Sequence, residues 1–466
     1  MARRVLLVSH AYPPDSHAGV EVYTSRLAAE LTRRGREAAV CTARLRPGGA
    51  QYALEQADVG GIPTFGIVQN WPYRGLPEAL EDPAIDRVFG TVLDRWKPDF
   101  VAVQTLAGLS LGVLEVLGSR GIPHVVHLHD GWWSCPSGGQ RLHPDGTNCL
   151  PVDRARCGDC FATFQGLEGP VEAWSRRAAA KLPGWVPPDA LHRAWNRMPG
   201  VVQRAVRGVN TAARRDPAEA SRGAETDPAI EARAARVSEV FGRVPLAVSP
   251  TDFLASSLAV DGVRARRTIV VPTGVPRPPS SPPPAGDGDG PLRVLFLGTW
   301  VPHKGLAVLA DALAALPADA ARRVDARAYG PAPFAAFRAD VLRRAQGRLA
   351  GHDAVPPAEV GAVLRDADVV VVPSTWAENA PLVALEARAH GRVVVASDLG
   401  GLEELVREEE GGLRVAAGDV AAWAEALGAL AADREEVRRR AALVRASPPR
   451  AVAAWVDDVE AAWETA

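Results

Sequence analysis

The stretch PSTWAENAPLVALEARAHG carries two glutamates, Glu378 and Glu386, separated by seven residues and preceded by the valine run Val369 to Val372. Proline is tolerated where a helix starts but costs about 3 kcal/mol inside one. If both acids shared one helix, Pro381 would lie within it. Glu378 is therefore expected in a loop and Glu386 on a helix that opens near Pro381, so that the two touch different parts of one ligand. The free backbone N–H groups of the stretch Asn379, Ala380, Pro381 and Leu382 would face an anion such as a diphosphate. Doubly wound folds bind ligands at this carboxyl edge of the strands.

A second constellation is HLHDGWWSCPSGGQRLHPDGTNCLPVDRARCGDC, with Cys135, Cys149 and the pair Cys157 and Cys160. Four thiolates in so short a stretch suit tetrahedral zinc, and an iron–sulfur cluster uses the same ligands. Disulfides are the alternative for an oxidising compartment. Cys41 stands apart on an apolar run that reads as a buried strand.

These residues need elements to position them. Val5 to Val8 reads as a strand, the loop with Tyr12, Pro13 and Pro14 follows, and Gly19 leads into an amphipathic stretch through Leu31. RGREAAVCTA, PDFVAVQ, IPHVVHLH, PLAVSP and TIVVPTGV continue as strands between helical or turn segments. Such alternation predicts a parallel, doubly wound sheet. The Pro-, Gly-, Ser- and Asp-rich run 276–291 cannot form a core and reads as a linker. A second alternation then starts at LRVLFLG and runs through GLAVLADALAAL, VDARAYG, ADVVVVPS and RVVVAS. The predicted plan is an N-terminal α/β domain over 1–275 with an irregular insertion at 131–240, and a C-terminal α/β domain over 292–447. A closing helix over 448–466 has Val452, Trp455, Val459 and Trp463 at helical spacing.

The 466 residues exceed what one core usually serves, which agrees with two domains. With 47% hydrophobic and 23% charged residues the composition is that of a globular protein. A net charge of -2 gives no general attraction to nucleic acid. The apolar stretch after Arg4 is too short for a signal segment, and no run is long enough to span a bilayer, so a cytoplasmic location is expected. From Gly166 to Arg215, nine Lys and Arg stand against three acids, interleaved with Trp174, Trp185 and Trp195. That pattern would suit peripheral contact with an anionic membrane, or equally helices whose tryptophans pack inward.

PSTWAENAPLVALEA resembles the signature of the family 4 retaining glycosyltransferases. LGTWVPHKGL resembles the first strand and loop of that family's donor domain, YPPDSHAGVEVYTSRLAAELTRRG its N-terminal acceptor-side loop, and SDLGGLEELV its late donor-domain turn. The resemblance implies a GT-B fold, two Rossmann-like domains facing across a cleft, and no catalytic metal. It implies that Lys304 binds the donor diphosphate, Glu386 holds the nucleotide ribose, and Glu378 orients the transferred sugar near an oxocarbenium-like transition state. Gly19 matches the small residue that lets the N-terminal loop approach the diphosphate. His129 matches a histidine near the sugar hydroxyls, although a buried structural histidine or a further metal ligand would read the same in sequence. Gly298 and Thr299 line the first donor loop, and backbone near Gly330 and His352 would form the base pocket. The partners implied are a nucleotide sugar, by default a UDP-sugar, and a polysaccharide, glycolipid or metabolite acceptor. The Cys cluster would brace the His129 loop.

One position departs from the family pattern. Thr299 stands where many relatives carry an arginine, so one fixed positive charge is missing. Either the family branch with the Cys cluster manages without it, or His303 or an arginine of the N-terminal domain replaces it; a catalytically silent, zinc-braced nucleotide-sugar-binding protein is the competing reading that this position supports. An epimerase or phosphorylase on the same plan is a further reading, which the two-glutamate loop disfavours.

Overall fold

The computed structural model describes residues 3–46, 49–70, 75–162, 228–278 and 290–466. The run at 166–215, most of the insertion and most of the linker lie outside the described residues.

The first domain is built from β1 (Arg4–Ser9), α1 (Gly19–Arg33), β2 (Glu37–Arg44), β3 (Leu54–Val59), β4 (Ile62–Val68), α2 (Pro83–Trp96), β5 (Phe100–Val103), β6 (His124–His127), α3 (Cys157–Ala162), α4 (Pro228–Phe241), β7 (Leu246–Ser249) and β8 (Arg267–Val270), with shorter helices between them. The strands form one sheet in the order β3-β4-β2-β1-β5-β6-β7-β8. All pairs are parallel except β3 with β4, an antiparallel edge hairpin turning at Gly60 and Gly61. Helix α2 starts sharply because Pro83 presets its first dihedral and the Asp82 carboxylate accepts the Ala84 N–H at 2.9 Å.

The second domain contains β9 (Leu292–Leu297), α5 (Leu306–Ala315), β10 (Val324–Tyr329), β11 (Leu349–His352), β12 (Val369–Val372), α6 (Leu382–Ala389), β13 (Val393–Ser397) and β14 (Leu413–Val415). Its six parallel strands lie in the order β11-β10-β9-β12-β13-β14. The four valines of β12 are all buried, as expected of a central strand covered by helices on both faces. In each sheet the winding reverses beside its first strand, between β1 and β5 and between β9 and β12. That reversal opens a crevice at the carboxyl ends of the strands.

The last helix, α7 (Val452–Trp463), returns to the first domain. Trp455, Val456, Val459 and Trp463 share a core with Val5, Leu7, Leu27 and Phe100. Val275 forms a parallel bridge with Ala451, so the chain leaves and re-enters the first domain side by side. Among the described residues no helix is long and apolar enough to cross a membrane.

Candidate active site

Two loops of the second domain flank its winding reversal. The loop after β9 ends in a short turn of 3-10 helix, Pro302–Lys304, and the loop after β12 carries Glu378. They are fastened together by the Thr375 N–H donating to the His303 carbonyl at 2.9 Å. Gly305 permits the contact: its φ is +74°, and a Cβ there would lie 1.7 Å from the Pro373 carbonyl oxygen. A third loop seals the other side, where Gly401 donates to the Glu378 carbonyl at 2.7 Å. A Cβ on Gly401 would fall 1.7 Å from the Asn379 carbonyl oxygen, so the glycine pair of SDLGGLEELV is what lets this turn close on the Glu378 loop.

Glu378 itself is 4% exposed. Its Oε1 accepts from Lys304 Nζ at 2.7 Å and from Ser374 Oγ at 2.6 Å. Burial alone would push this carboxyl up, but the Lys304 charge and these hydrogen bonds outweigh it and hold Glu378 below the usual carboxylate range. The ammonium of Lys304 also lies 5.0 Å from the centre of the Trp376 ring. The carboxylate is buried while the Lys304 side chain is 27% exposed, so the ammonium also faces the crevice.

Helix α6 begins at Leu382, one residue later than expected, with Pro381 as its cap in an extended conformation. Pro381 has no N–H to offer an anion, so the donors of this edge are the backbone groups of Asn379, Ala380 and the first turn from Leu382. Glu386 lies on α6 as expected, yet it is not free: Arg26 of α1 reaches across from the first domain and pairs with its Oε1. Gly19 opens α1, and a Cβ built on it meets no protein atom within 4 Å. Gly298 donates to the Tyr329 carbonyl at 3.0 Å, which brings the Gly298–Thr299 loop beside Gly330. The His352 ring stacks on Tyr329 with centroids 4.3 Å apart.

His129 belongs to the loop after β6. Its Nε2 meets Gln104 Oε1 at 2.9 Å, and its ring packs edge-on to Tyr23 at 4.5 Å. Burial first, then the nearby His10 charge, brings its pKa down to about 3, so it works as a neutral imidazole. Its backbone carbonyl accepts from Asn379 Nδ2 at 2.9 Å, which joins it to the Glu378 loop across the cleft.

Sequence reasoning missed Asn148. Its side chain donates to the Thr375 carbonyl at 2.9 Å and accepts from the Ala377 N–H at 3.0 Å, clamping the Glu378 loop from the opposite domain. No local pattern distinguishes this asparagine. Its position beside Cys149, in a loop expected to brace part of the site, was the available signal. Of the two substitutes named for the missing charge, His303 is unsuited: burial first, then Lys304, lowers its pKa to about 4 and leaves it neutral.

The four clustered cysteines are all buried and none is in a disulfide. Asp153 N–H points at Cys149 Sγ at 3.1 Å, and His143 Nδ1 is 3.2 Å from Cys160 Sγ. Among the described residues, no three His, Cys, Asp or Glu side chains converge into a formed metal cage. Arg233 adds a point about charge. It is 6% exposed and bonds the Trp132 carbonyl at 2.6 Å and the Trp133 carbonyl at 3.4 Å. Burial brings its pKa down to about 10, and the sulfurs of Cys135 and Cys157 are the groups beside it that could carry negative charge, although burial pushes the Cys157 thiol up to about 12.

Comparison with known proteins bears on the family and the fold. The profile "Glycosyl transferases group 1" matches residues 291–433, and "Glycosyl transferase 4-like domain" matches residues 18–154. A D-inositol 3-phosphate glycosyltransferase of Nocardia farcinica is 39% identical over 166 residues, 33% of this chain and 36% of that one. Over the curated relatives it matches, the chain spans about a fifth to a half of their length. Among solved structures, sucrose-phosphate synthase from Thermosynechococcus elongatus superposes with a TM-score of 0.63 at 17% identity, covering 99% of this chain and 98% of that one. Anabaena HepE in complex with UDP and glucose does so with a TM-score of 0.61 at 17% identity over 100% of both. Two Rossmann-like domains facing across a cleft, with paired loops at the reversal of the second sheet, define the GT-B fold. Within that class the chain belongs to the family 4 glycosyltransferases.

Proposed function

We propose that the protein is a retaining glycosyltransferase that moves a sugar from a nucleotide sugar to a hydroxyl of a polysaccharide, glycolipid or metabolite acceptor. The observation that carries this reading is the buried Glu378 paired with Lys304 at the reversal of the donor-side sheet, with His129 and Asn148 of the other domain bonded to the same loop. Lys304 and the N–H groups before α6 take the charge that grows on the diphosphate as the bond to the sugar's anomeric carbon breaks. Glu378, kept ionised, faces the positive charge that develops on the sugar. The acceptor oxygen bonds to that carbon on the face the diphosphate leaves, and its proton passes to the departing phosphate oxygen. No divalent cation is needed in this scheme. UDP is the favoured donor nucleotide, a choice supported by the UDP bound in HepE.

The four cysteines are proposed to hold a structural zinc. A zinc bound by four thiolates carries net negative charge, which would answer the buried guanidinium of Arg233. A cytoplasmic site of action, with peripheral membrane contact through 166–215, completes the proposal.

Thermal unfolding against UDP, GDP, ADP, TDP and their sugars, with metal content measured on the same sample, tests both parts. A shift confined to one nucleotide is expected, together with about one zinc per chain. Glu378→Gln should keep the nucleotide shift and lose transfer by at least about a thousandfold. Full activity in that variant would overturn the proposed site.

A further inference from the structure

The donor site is short of positive charge. A diphosphate brings at least two negative charges, while Lys304 is already shared with Glu378 at 2.7 Å, Thr299 is neutral and His303 is uncharged at neutral pH. Arg26 is placed to make up the difference. It lies seven residues after Gly19 on α1, which puts it on the same helix face about two turns further on. It crosses to the donor domain and is 20% exposed where it meets Glu386, itself 16% exposed. Only one of its terminal nitrogens is used in that pair. Nη1 is buried and has no partner among the described residues, and a buried donor of this kind costs free energy until something accepts from it.

We propose that Arg26 is the second cation of the diphosphate site, supplied by the opposite domain and transferred from Glu386 to phosphate when the donor ribose takes that carboxylate. This rests on the donor-site reading above. The exchange is balanced in charge: Glu386 gives up a guanidinium and gains two hydroxyl donors, while Arg26 gives up a carboxylate and gains phosphate oxygens that match its planar fork. It also ties donor binding to closure, because the cation sits on α1 and the anion is held by α6.

Calorimetric titration of wild type, Arg26→Gln, Arg26→Lys and the double variant Arg26→Gln/Thr299→Arg with UDP, GDP and ADP, and with the three nucleosides, tests the proposal. The diphosphate that binds wild type should bind Arg26→Gln about 10- to 100-fold more weakly, with its nucleoside changed less than about twofold and Arg26→Lys intermediate. Thr299→Arg should restore most of the loss by putting a cation back on the donor side. Unchanged diphosphate affinity in Arg26→Gln would overturn the proposal. So would equal loss for nucleoside and diphosphate, since Arg26 would then serve only to position Glu386. If wild type binds none of the three diphosphates, the donor-site reading itself fails and takes this inference with it. Thr299→Arg rescue also separates a charge role from a folding defect, because a new arginine in the other domain cannot repair α1.

Discussion

An indole nitrogen can only donate, and this fact decides the proton state of His127. Trp463 Nε1–H points at His127 Nε2 at 3.0 Å, so that nitrogen must accept, and the single ring proton sits on Nδ1 toward Tyr23 Oη at 2.8 Å. Adding a second proton would expel the Trp463 donor inside a site where His127 is 1% exposed. Burial first, then the neighbouring His129, accordingly brings its pKa down to about 3. The unfolded chain binds this proton near pH 6.5, so between about 6.5 and 3 the unfolded state holds the extra proton and stability falls as pH falls, by about 1.4 kcal/mol per unit. Urea unfolding at pH 7 and pH 5 should show a loss to which His127 contributes about 2 kcal/mol. His127→Gln should flatten the profile by that amount, and an unaltered slope in the variant would refute the assignment.

Trp463 belongs to α7, and at the scale of elements that helix is the most consequential piece of the first domain that lies far away in sequence. Trp455 is 0% exposed, packs edge-on to Tyr23 at 4.6 Å, and sits against Gly274, where a Cβ would come within 2.4 Å of its own Cβ. Trp455→Ala should therefore lower stability by about 3–5 kcal/mol, read from chemical denaturation, whereas a loss below about 1 kcal/mol would mean that α7 is only loosely attached. The helix was legible in the sequence from the spacing of Val452, Trp455, Val459 and Trp463. Its partner was not, because periodicity names a buried face without naming what covers it. The same limit explains the other outcomes. Val369 to Val372 was readable as a strand because a central parallel strand is apolar on both sides. Leu54–Val59, with Gln56, Ala57 and Asp58 exposed, has no such run and does not read as a strand in the sequence. Glu378 was legible from its place between a valine strand and Pro381, whereas Lys304 and the glycine turn were named only through the family resemblance. Arg26 and Asn148 were not legible, since each acts on a residue more than 200 positions away.

At the scale of the molecule, the Glu378 loop is held by the opposite domain as well as by its own. Asn148 gives it two hydrogen bonds and the His129 carbonyl a third, while Glu404 of the second domain receives the N–H groups of Asp252 and Phe253 in the first. Asn148 adjoins Cys149, so the metal proposed for the cysteines would set where this clamp stands. Losing two hydrogen bonds of about 1 kcal/mol each predicts that Asn148→Ala lowers kcat/KM about 30-fold. Asn148→Asp, which keeps the acceptor for Ala377 and loses the donor for Thr375, should fall between. Removing the metal from wild type should reproduce most of the Asn148→Ala defect and expand the particle in solution scattering. If clamp and cluster act through one another, the two losses will not add: metal removal should cost the Asn148→Ala protein far less than it costs wild type. Additive losses would mean that the cysteines support only their own loop, and that the domains find their closed arrangement through the Arg26–Glu386 and Glu404 contacts instead.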